Sequence, residues 1–322
     1  VVVCPAQLLS YFKGHSLTRG KMIKKAITIL ILTLSPLLTQ DFLEGVRAED
    51  LMLDRIEPVP EAVAKEIEDE SVNYWFGKTL STAYSHDSSI IAIERTEKPG
   101  GKVIGIWLVD SKTKTEKQIV EGITYDLKLS SDGKYLTFTK MVPAKELFHG
   151  RQVYEDGGTW LYNVETDKIQ PLPPFGTSAA WSAKGNYLAG KYIESEGVGK
   201  NTWVLAVYDA ENSTTQILDR VIFQDWWNFS WSPNGKMLVY VVATKASGHI
   251  DLSPLASEVF IINKNGTGKT QITSTTQPEV LVRWLPDGKS IMVARFKDMP
   301  DPETGVGDGE IVVLKLKKKE EK

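Results

Sequence analysis

Four segments of the chain align without gaps: Leu129-Ser130-Ser131-Asp132-Gly133-Lys134, Trp181-Ser182-Ala183-Lys184-Gly185-Asn186, Trp231-Ser232-Pro233-Asn234-Gly235-Lys236 and Trp284-Leu285-Pro286-Asp287-Gly288-Lys289. Tyr84-Ser85-His86-Asp87-Ser88-Ser89 is a weaker fifth copy, with Ser88 in the glycine column. Along that column the steps are 45, 52, 50 and 53 residues. This period constrains the fold more than any other property of the sequence. A unit of about fifty residues cannot bury its own apolar face and must stack on its neighbours.

Each copy reads as a turn between two strands. An apolar or aromatic residue ends the first strand, and a polar turn with Pro, Asp or Asn and then Gly follows. A second strand begins at once, as in Lys134-Tyr135-Leu136-Thr137-Phe138 or Lys236-Met237-Leu238-Val239-Tyr240. Pro presets the turn, Asp or Asn bonds the nearby backbone, and Gly accepts a positive φ. Some twenty to thirty residues on comes a third β-rich run, for example Thr159-Trp160-Leu161-Tyr162 or Val259-Phe260-Ile261-Ile262, and then a short fourth such as Thr270-Gln271-Ile272-Thr273. Four antiparallel strands per period, with large aromatics in fixed columns, describe the blade of an all-β propeller over residues 79–316. Five blades are readable, and a sixth too degenerate to read is the alternative. Six of the nine Trp fall in two columns, 181, 231 and 284 at the end of the first strand and 107, 160 and 203 in the third, where they are expected to pack blade against blade.

The turn Trp231-Ser232-Pro233-Asn234-Gly235-Lys236 and the hairpin Ile262-Asn263-Lys264-Asn265-Gly266-Thr267-Gly268-Lys269-Thr270-Gln271-Ile272-Thr273 resemble the WD40-like repeats of the TolB propeller family. The resemblance spans residues 79–316 and implies a propeller fold. TolB itself has an α/β domain ahead of a six-bladed propeller, whereas residues 49–78 precede the first readable blade here.

The N-terminal stretch reads as a targeting segment. Lys24 and Lys25 precede the apolar run Ala26–Leu38, which is too short to span a bilayer comfortably. Val46-Arg47-Ala48 places small residues where a leader peptidase reads them, so residues 22–48 are expected to be a signal peptide and 1–21 an over-extended start. A retained anchor or a buried apolar segment are the alternatives. Export to the bacterial periplasm or beyond follows from the first reading. The one cysteine, Cys4, lies upstream of the cut, so the mature product needs no disulfide or thiol chemistry. Between this segment and the blades, residues 60–70 suggest a short helix, and Ser71-Val72-Asn73-Tyr74-Trp75-Phe76 suggests a strand that completes the last blade and removes its open edge. Residues 317–322 read as a charged tail.

With 38 basic and 41 acidic side chains the net charge is -3, which gives no electrostatic reason to expect nucleic acid. Gly268-Lys269-Thr270 lacks the glycine a phosphate loop needs five residues earlier and reads as a hairpin turn, and no Gly-x-Ser-x-Gly elbow is present. His149 and His249 fall in long loops, 141–157 and 244–256, without a second ligand at metal spacing, so they are binding-face candidates and no metal or cofactor is expected. The Trp226-Trp227 pair beside Asp225 lies outside the packing columns, and adjacent strand residues point to opposite faces, which leaves one ring for a ligand or a neighbouring blade. Asp126, Asp225 and Glu279 stand near the starts of three first strands, where two facing acids would suit glycosidic bond cleavage. The expectation is a monomeric, non-enzymatic scaffold for a protein or a cell-envelope polymer. A carbohydrate-active enzyme using those acids is the alternative.

Overall fold

Every copy of the repeat folds as the turn between the first two strands of a sheet. The backbone N–H of Ser85, Ser130, Ser182, Ser232 and Leu285 meets the carbonyl of Ile90, Tyr135, Tyr187, Met237 and Ser290, between 2.7 and 2.9 Å, closing five turns of one length. In four of them the serine hydroxyl also accepts the N–H five residues on, at Ile90, Tyr135, Tyr187 and Met237. The same hydroxyl donates to Asp87, Asp132 and Asn234 in three of these, at 2.9, 2.6 and 2.7 Å. The glycine column is left-handed throughout, with φ of 75°, 84°, 66° and 63° at Gly133, Gly185, Gly235 and Gly288, and Ser88 adopts 55° in the fifth copy. These are the geometries that a tight turn with Gly at its end requires.

A computed structural model describes residues 42–58, 82–98, 102–148, 151–173, 175, 179–195, 201–221, 229–245, 256–275, 277–297 and 309–319. Five four-stranded antiparallel sheets account for the strands among them. The first sheet is β2 (Thr82–Tyr84), β3 (Ile90–Thr96), β4 (Val103–Asp110) and β5 (Glu116–Glu121); the second is β6 (Thr124–Leu129), β7 (Tyr135–Phe148), β8 (Arg151–Asn163) and β9 (Lys168–Pro171). The third is β10 (Ala180–Trp181), β11 (Tyr187–Ser195), β12 (Asn201–Asp209) and β13 (Thr214–Val221), and the fourth is β14 (Phe229–Trp231), β15 (Met237–Lys245), β16 (Ala256–Asn263) and β17 (Thr270–Gln271). The fifth joins β18 (Glu279–Trp284), β19 (Ser290–Phe296) and β20 (Gly309–Lys318) to β1 (Leu51–Pro58) from the other end of the chain. One sheet per repeat, four of them with strands in sequence order and the fifth completed by a strand from the other end of the chain, is the blade pattern of a β-propeller.

The fifth sheet corrects the expected closing strand. Its fourth strand is Leu51–Pro58, paired antiparallel with β20 from Leu51↔Lys318 to Pro58↔Val312; residues 71–76 and the expected helix at 60–70 lie outside the described residues. Leu51 is fully buried and its neighbour Met52 is exposed, the alternation a half-buried strand needs. Lys317 and Lys318, expected in the tail, are ladder residues of β20. The second sheet departs from expectation as well. The pairing of β7 and β8 continues through Met141↔Asp156 to Phe148↔Arg151, so most of the expected loop 141–157 is extended hairpin.

The chain divides into two compact units. The middle unit comprises Lys78–Glu194 and Val204–Ile217 and holds the first two sheets and most of the third. One of its cores gathers Ala92, Ile106, Leu136, Phe138 and Tyr162; another gathers Tyr135, Phe175, Leu188, Val204 and Ala206. The terminal unit contains the fourth and fifth sheets and the segment from Phe42 to Pro58. Met237, Val239 and Val241 of β15, Ile291 and Val293 of β19, and Val312, Leu314 and Leu316 of β20 enter its core at every second position. That is the period-2 spacing of one strand face.

The aromatic columns behave differently from one another. Trp231 and Trp284 are buried, and Trp181 stacks on Tyr135 at 5.7 Å while its indole N–H donates to the Lys128 carbonyl at 3.0 Å. Trp107 and Trp160 of the third strands are only half-buried, with the Arg95 guanidinium 5.1 Å from the Trp107 ring centre. The first column is thus the more deeply packed of the two, while Trp160 of the third-strand column donates its indole N–H to the Gly157 carbonyl at 3.1 Å.

Candidate functional site

Each unit buries an acid, Glu279 at the start of a first strand and Glu94 within a second strand. In the terminal unit, Glu279 opens β18 with no exposed surface. Thr273 fixes one carboxylate oxygen. Its hydroxyl accepts the Val259 N–H at 2.8 Å, which leaves its own proton to donate to Glu279 Oε2 at 2.6 Å. The Glu279 main-chain carbonyl accepts the Ser257 hydroxyl at 2.7 Å. Glu279 Oε1 has no hydrogen-bond partner.

The charges around this carboxyl are unequal. Burial raises its pKa to about 8; the Thr273 hydroxyl opposes the rise, Glu258 adds to it, and Arg295 works against it. Glu258 is itself buried, its carboxylate accepting the Thr275 N–H at 2.9 and 3.2 Å. Arg295, the register partner of Glu279 across β18 and β19, is drawn away by Glu310, whose Oε1 takes its Nε–H at 2.8 Å. Glu279 is thus mostly protonated at neutral pH, beside the Glu258 carboxyl and with the Arg295 guanidinium engaged by Glu310.

The middle unit contains a smaller version of the arrangement. Glu94 of β3 is buried and accepts the hydroxyl of Thr124 at 3.0 Å. Counted back from the aromatic column, Thr124 in β6 and Glu279 in β18 both stand five places before it, so one repeat position carries the hydroxyl in one sheet and the acid in another. Two residues on, Asp126 adopts φ 60° where the β6–β7 register shifts between Tyr125 and Lys128. Burial raises the pKa of Asp126, and the ion pair with Lys128 opposes the rise. A non-glycine residue in the left-handed region at a bulge is strained, and such a bulge re-aims a side chain.

Of the seven residues singled out from sequence, Asp126 lies in the middle unit and Glu279 in the terminal unit, each in the surroundings just given. Asp225, Trp226, Trp227, His149 and His249 lie outside the described residues. Glu258, Thr273, Arg295 and Glu310 were not singled out. Glu258 occupies the column held by Gly105 and Gly158 in the first two sheets, and that substitution within the repeat is the one signal that marked it. Among the described residues, no three His, Cys, Asp or Glu side chains converge as a metal site would require.

No family model matches the chain. Dipeptidyl-peptidase 5 of Porphyromonas endodontalis is similar over 63 residues at 38% identity, which is 20% of this chain and 9% of that protein. Among solved structures, the tricorn protease is similar at 12% identity over 72% of this chain and 25% of that one, with a TM-score of 0.49. The β-propeller domain of the Trilobed protease from Pyrococcus furiosus covers 74% of this chain and 68% of its own at 13% identity and a TM-score of 0.44. TolB from Acinetobacter baumannii covers 61% and 54% at 20% identity and a TM-score of 0.29. The fold itself, a β-propeller, rests on the chain's own five four-stranded antiparallel sheets.

Proposed function

We propose that the chain is an exported, non-enzymatic β-propeller that holds a protein or a cell-envelope polymer, in the periplasm or outside the cell. The observation that carries this reading is the sealing of Glu279: a carboxyl with no exposed surface has no path to a polymer substrate. Asp126, the other described acid of the candidate set, is occupied by Lys128. The contact residues under this reading are Trp226 and Trp227 with Asp225, His149 and His249, since large rings with a polar edge anchor interfaces at low entropic cost. The apolar run after Lys24 and Lys25 supports export. The likeness to a dipeptidyl-peptidase and to protease propellers supports the repeat type and is not extended to their activities.

One observation favours an enzyme instead. A carboxyl with a pKa of about 8 is protonated at neutral pH, as the general acid of a glycosidase must be. The two readings separate in one experiment. The exported protein is used as bait in envelope extract and assayed in parallel on a panel of polysaccharides. A retained partner lost on Trp226→Ala or Trp227→Ala, with no turnover by the wild type, supports the scaffold. Turnover abolished by Glu279→Gln or Asp126→Asn overturns it.

A further inference from the structure

The residues that resemble a leader-peptide cut are part of the folded terminal unit. Leu43 is 1% exposed, Val46 8% and Ala48 0%, and all three belong to the core that contains Met237, Ile291 and Leu314. Phe42 packs against the same core, with the ammonium groups of Lys289 and Lys318 at 5.4 and 5.5 Å from its ring centre. Polar bonds repeat the attachment. Asn234, in the turn of the fourth sheet, donates to the Leu43 carbonyl at 3.2 Å. Asn263 accepts the Ala48 N–H at 3.0 Å through Oδ1 and donates to Glu49 Oε2 at 2.9 Å through Nδ2. Lys319, just past β20, donates its N–H to the Asp50 carbonyl at 2.7 Å and its ammonium to the Glu49 carbonyl at 2.8 Å.

Gly268 shows how closely the segment sits. In its left-handed conformation, φ 69°, a Cβ there would run into the Glu49 carboxylate. From Phe42 to Asp50 the chain therefore touches the β14–β15 and β16–β17 turns of the fourth sheet and the end of the fifth before entering it as β1.

We infer that Phe42–Asp50 is a permanent clasp of the folded protein, so that any leader-peptide cut falls on the N-terminal side of Phe42 and not after Ala48. A leader peptidase acts before folding, so burial of the bond is not what argues against the cut. The argument is what the product would lack. Cleavage after Ala48 removes three core side chains, leaves Asn234 Nδ2 and Asn263 Oδ1 without these partners, and creates a new ammonium at Glu49, whose carbonyl already receives Lys319. The inference concerns this segment alone and stands whether or not the proposed binding role does.

The test uses the full-length gene expressed in an exporting host, with N-terminal sequencing and intact mass of the recovered protein. A first residue at or before Phe42 is expected, and one at Glu49 overturns the inference. A second readout is Leu43→Ala in the same full chain, expected to lower the melting temperature by about 5–15 °C. Were the segment removed, the variant's mature product would be identical to the wild type in mass and melting temperature, and that result also overturns the inference. If Leu43→Ala fails to accumulate, Val46→Ala is the milder substitute, expected to lower the melting temperature where a removed residue would leave it unchanged.

Discussion

Thr273 donates its hydroxyl proton to Glu279 Oε2 at 2.6 Å, while Oε1 of the same carboxyl meets no hydrogen-bond partner. The single bond leaves a neutral acid with one unpaired O–H, but it leaves a buried anion far more poorly solvated, so the neutral form is favoured. The pair makes the terminal unit's stability depend on pH, because the native state keeps a proton on Glu279 that the unfolded chain releases.

The sign follows from the shift. Glu279 has a pKa of about 8 in the folded protein against 4.5 as the ordinary value, so the native state binds its proton more tightly. Its contribution is level below pH 4.5, erodes as the pH rises through the interval up to 8, and is level again above that. Across this interval the loss is on the order of 3–5 kcal/mol. Glu279→Gln removes the titrating group, and denaturant unfolding at pH 6 and pH 9.5 is expected to show a smaller difference for the variant than for the wild type. An unchanged pH difference would refute the assignment. Thr273→Val, which removes the hydroxyl that opposes the rise, is expected to push the Glu279 pKa higher and extend the loss to higher pH.

Ser88 stands at φ 55° in the column where the other four turns carry glycine. An L-residue in this region crowds its Cβ against the backbone, a cost that glycine escapes. Ser88→Gly is expected to stabilise the middle unit by about 0.5–1 kcal/mol, the relief of backbone crowding exceeding the added freedom of the unfolded chain. Gly133→Ser, the reverse change in the next sheet, is expected to destabilise, because a Cβ there would also approach Ser85 and Ile90 at 3.2 and 3.4 Å. Equal melting temperatures for wild type and Ser88→Gly would show that the turn is not strained.

What was legible in the sequence is what a short window contains. Ser130-Ser131-Asp132-Gly133 holds the hydroxyl, the acceptor and the left-handed residue of a turn within four positions, and each copy keeps the left-handed residue with at least part of the rest, so the first two strands of each sheet could be read directly. The closing strand could not, because Leu51 meets Lys318 across nearly the whole chain and the charged Asp54, Arg55 and Glu57 mask its alternation. The aromatic run at 71–76 looked more strand-like by composition alone. Val46-Arg47-Ala48 illustrates the same limit. Small and apolar residues suit both a leader-peptidase site and a core anchor, and only the distant partners Asn234 and Asn263 distinguish them. Glu279 was visible as an acid at the start of a strand, but its burial depends on β16 and on Thr273, which no local pattern connects to it.

Asp219 of β13 joins two residues of the fourth sheet: Tyr240 donates its hydroxyl to Oδ2 at 2.7 Å, and Lys269 places its ammonium on the same oxygen at 2.6 Å and 5.0 Å from the Phe260 ring centre. Burial and the Asp219 carboxylate both raise the Tyr240 pKa far above the ordinary phenol range, so the hydroxyl stays a donor at every accessible pH. Tyr240→Phe leaves Asp219 its lysine and is expected to cost about 1 kcal/mol. Asp219→Ala leaves the buried Tyr240 hydroxyl without its acceptor as well as removing the ion pair with the exposed Lys269, and is expected to cost roughly 2 kcal/mol. Chemical denaturation of the two variants checks the order; equal costs would mean that Lys269 and Tyr240 do not share Asp219 in solution.

Gly190 of β11 has no need of a left-handed conformation, and its reason for being glycine lies in packing. A Cβ at this position would stand 2.3 Å from the Phe175 ring, which is fully buried in the core with Leu188 and Val204. Phe175 cannot swing aside without losing its tilted contact with Tyr192 at 6.1 Å, so the strain falls on the strand. Gly190→Ala is expected to destabilise by about 1–3 kcal/mol even though alanine suits a strand interior better than glycine does. The cause is checked by a second substitution: Phe175→Leu alone costs stability by leaving a gap, but combined with Gly190→Ala it is expected to recover part of the loss, because the new methyl occupies space the ring has vacated. Strictly additive losses in that double-mutant cycle would show that the two side chains do not compete for the same volume.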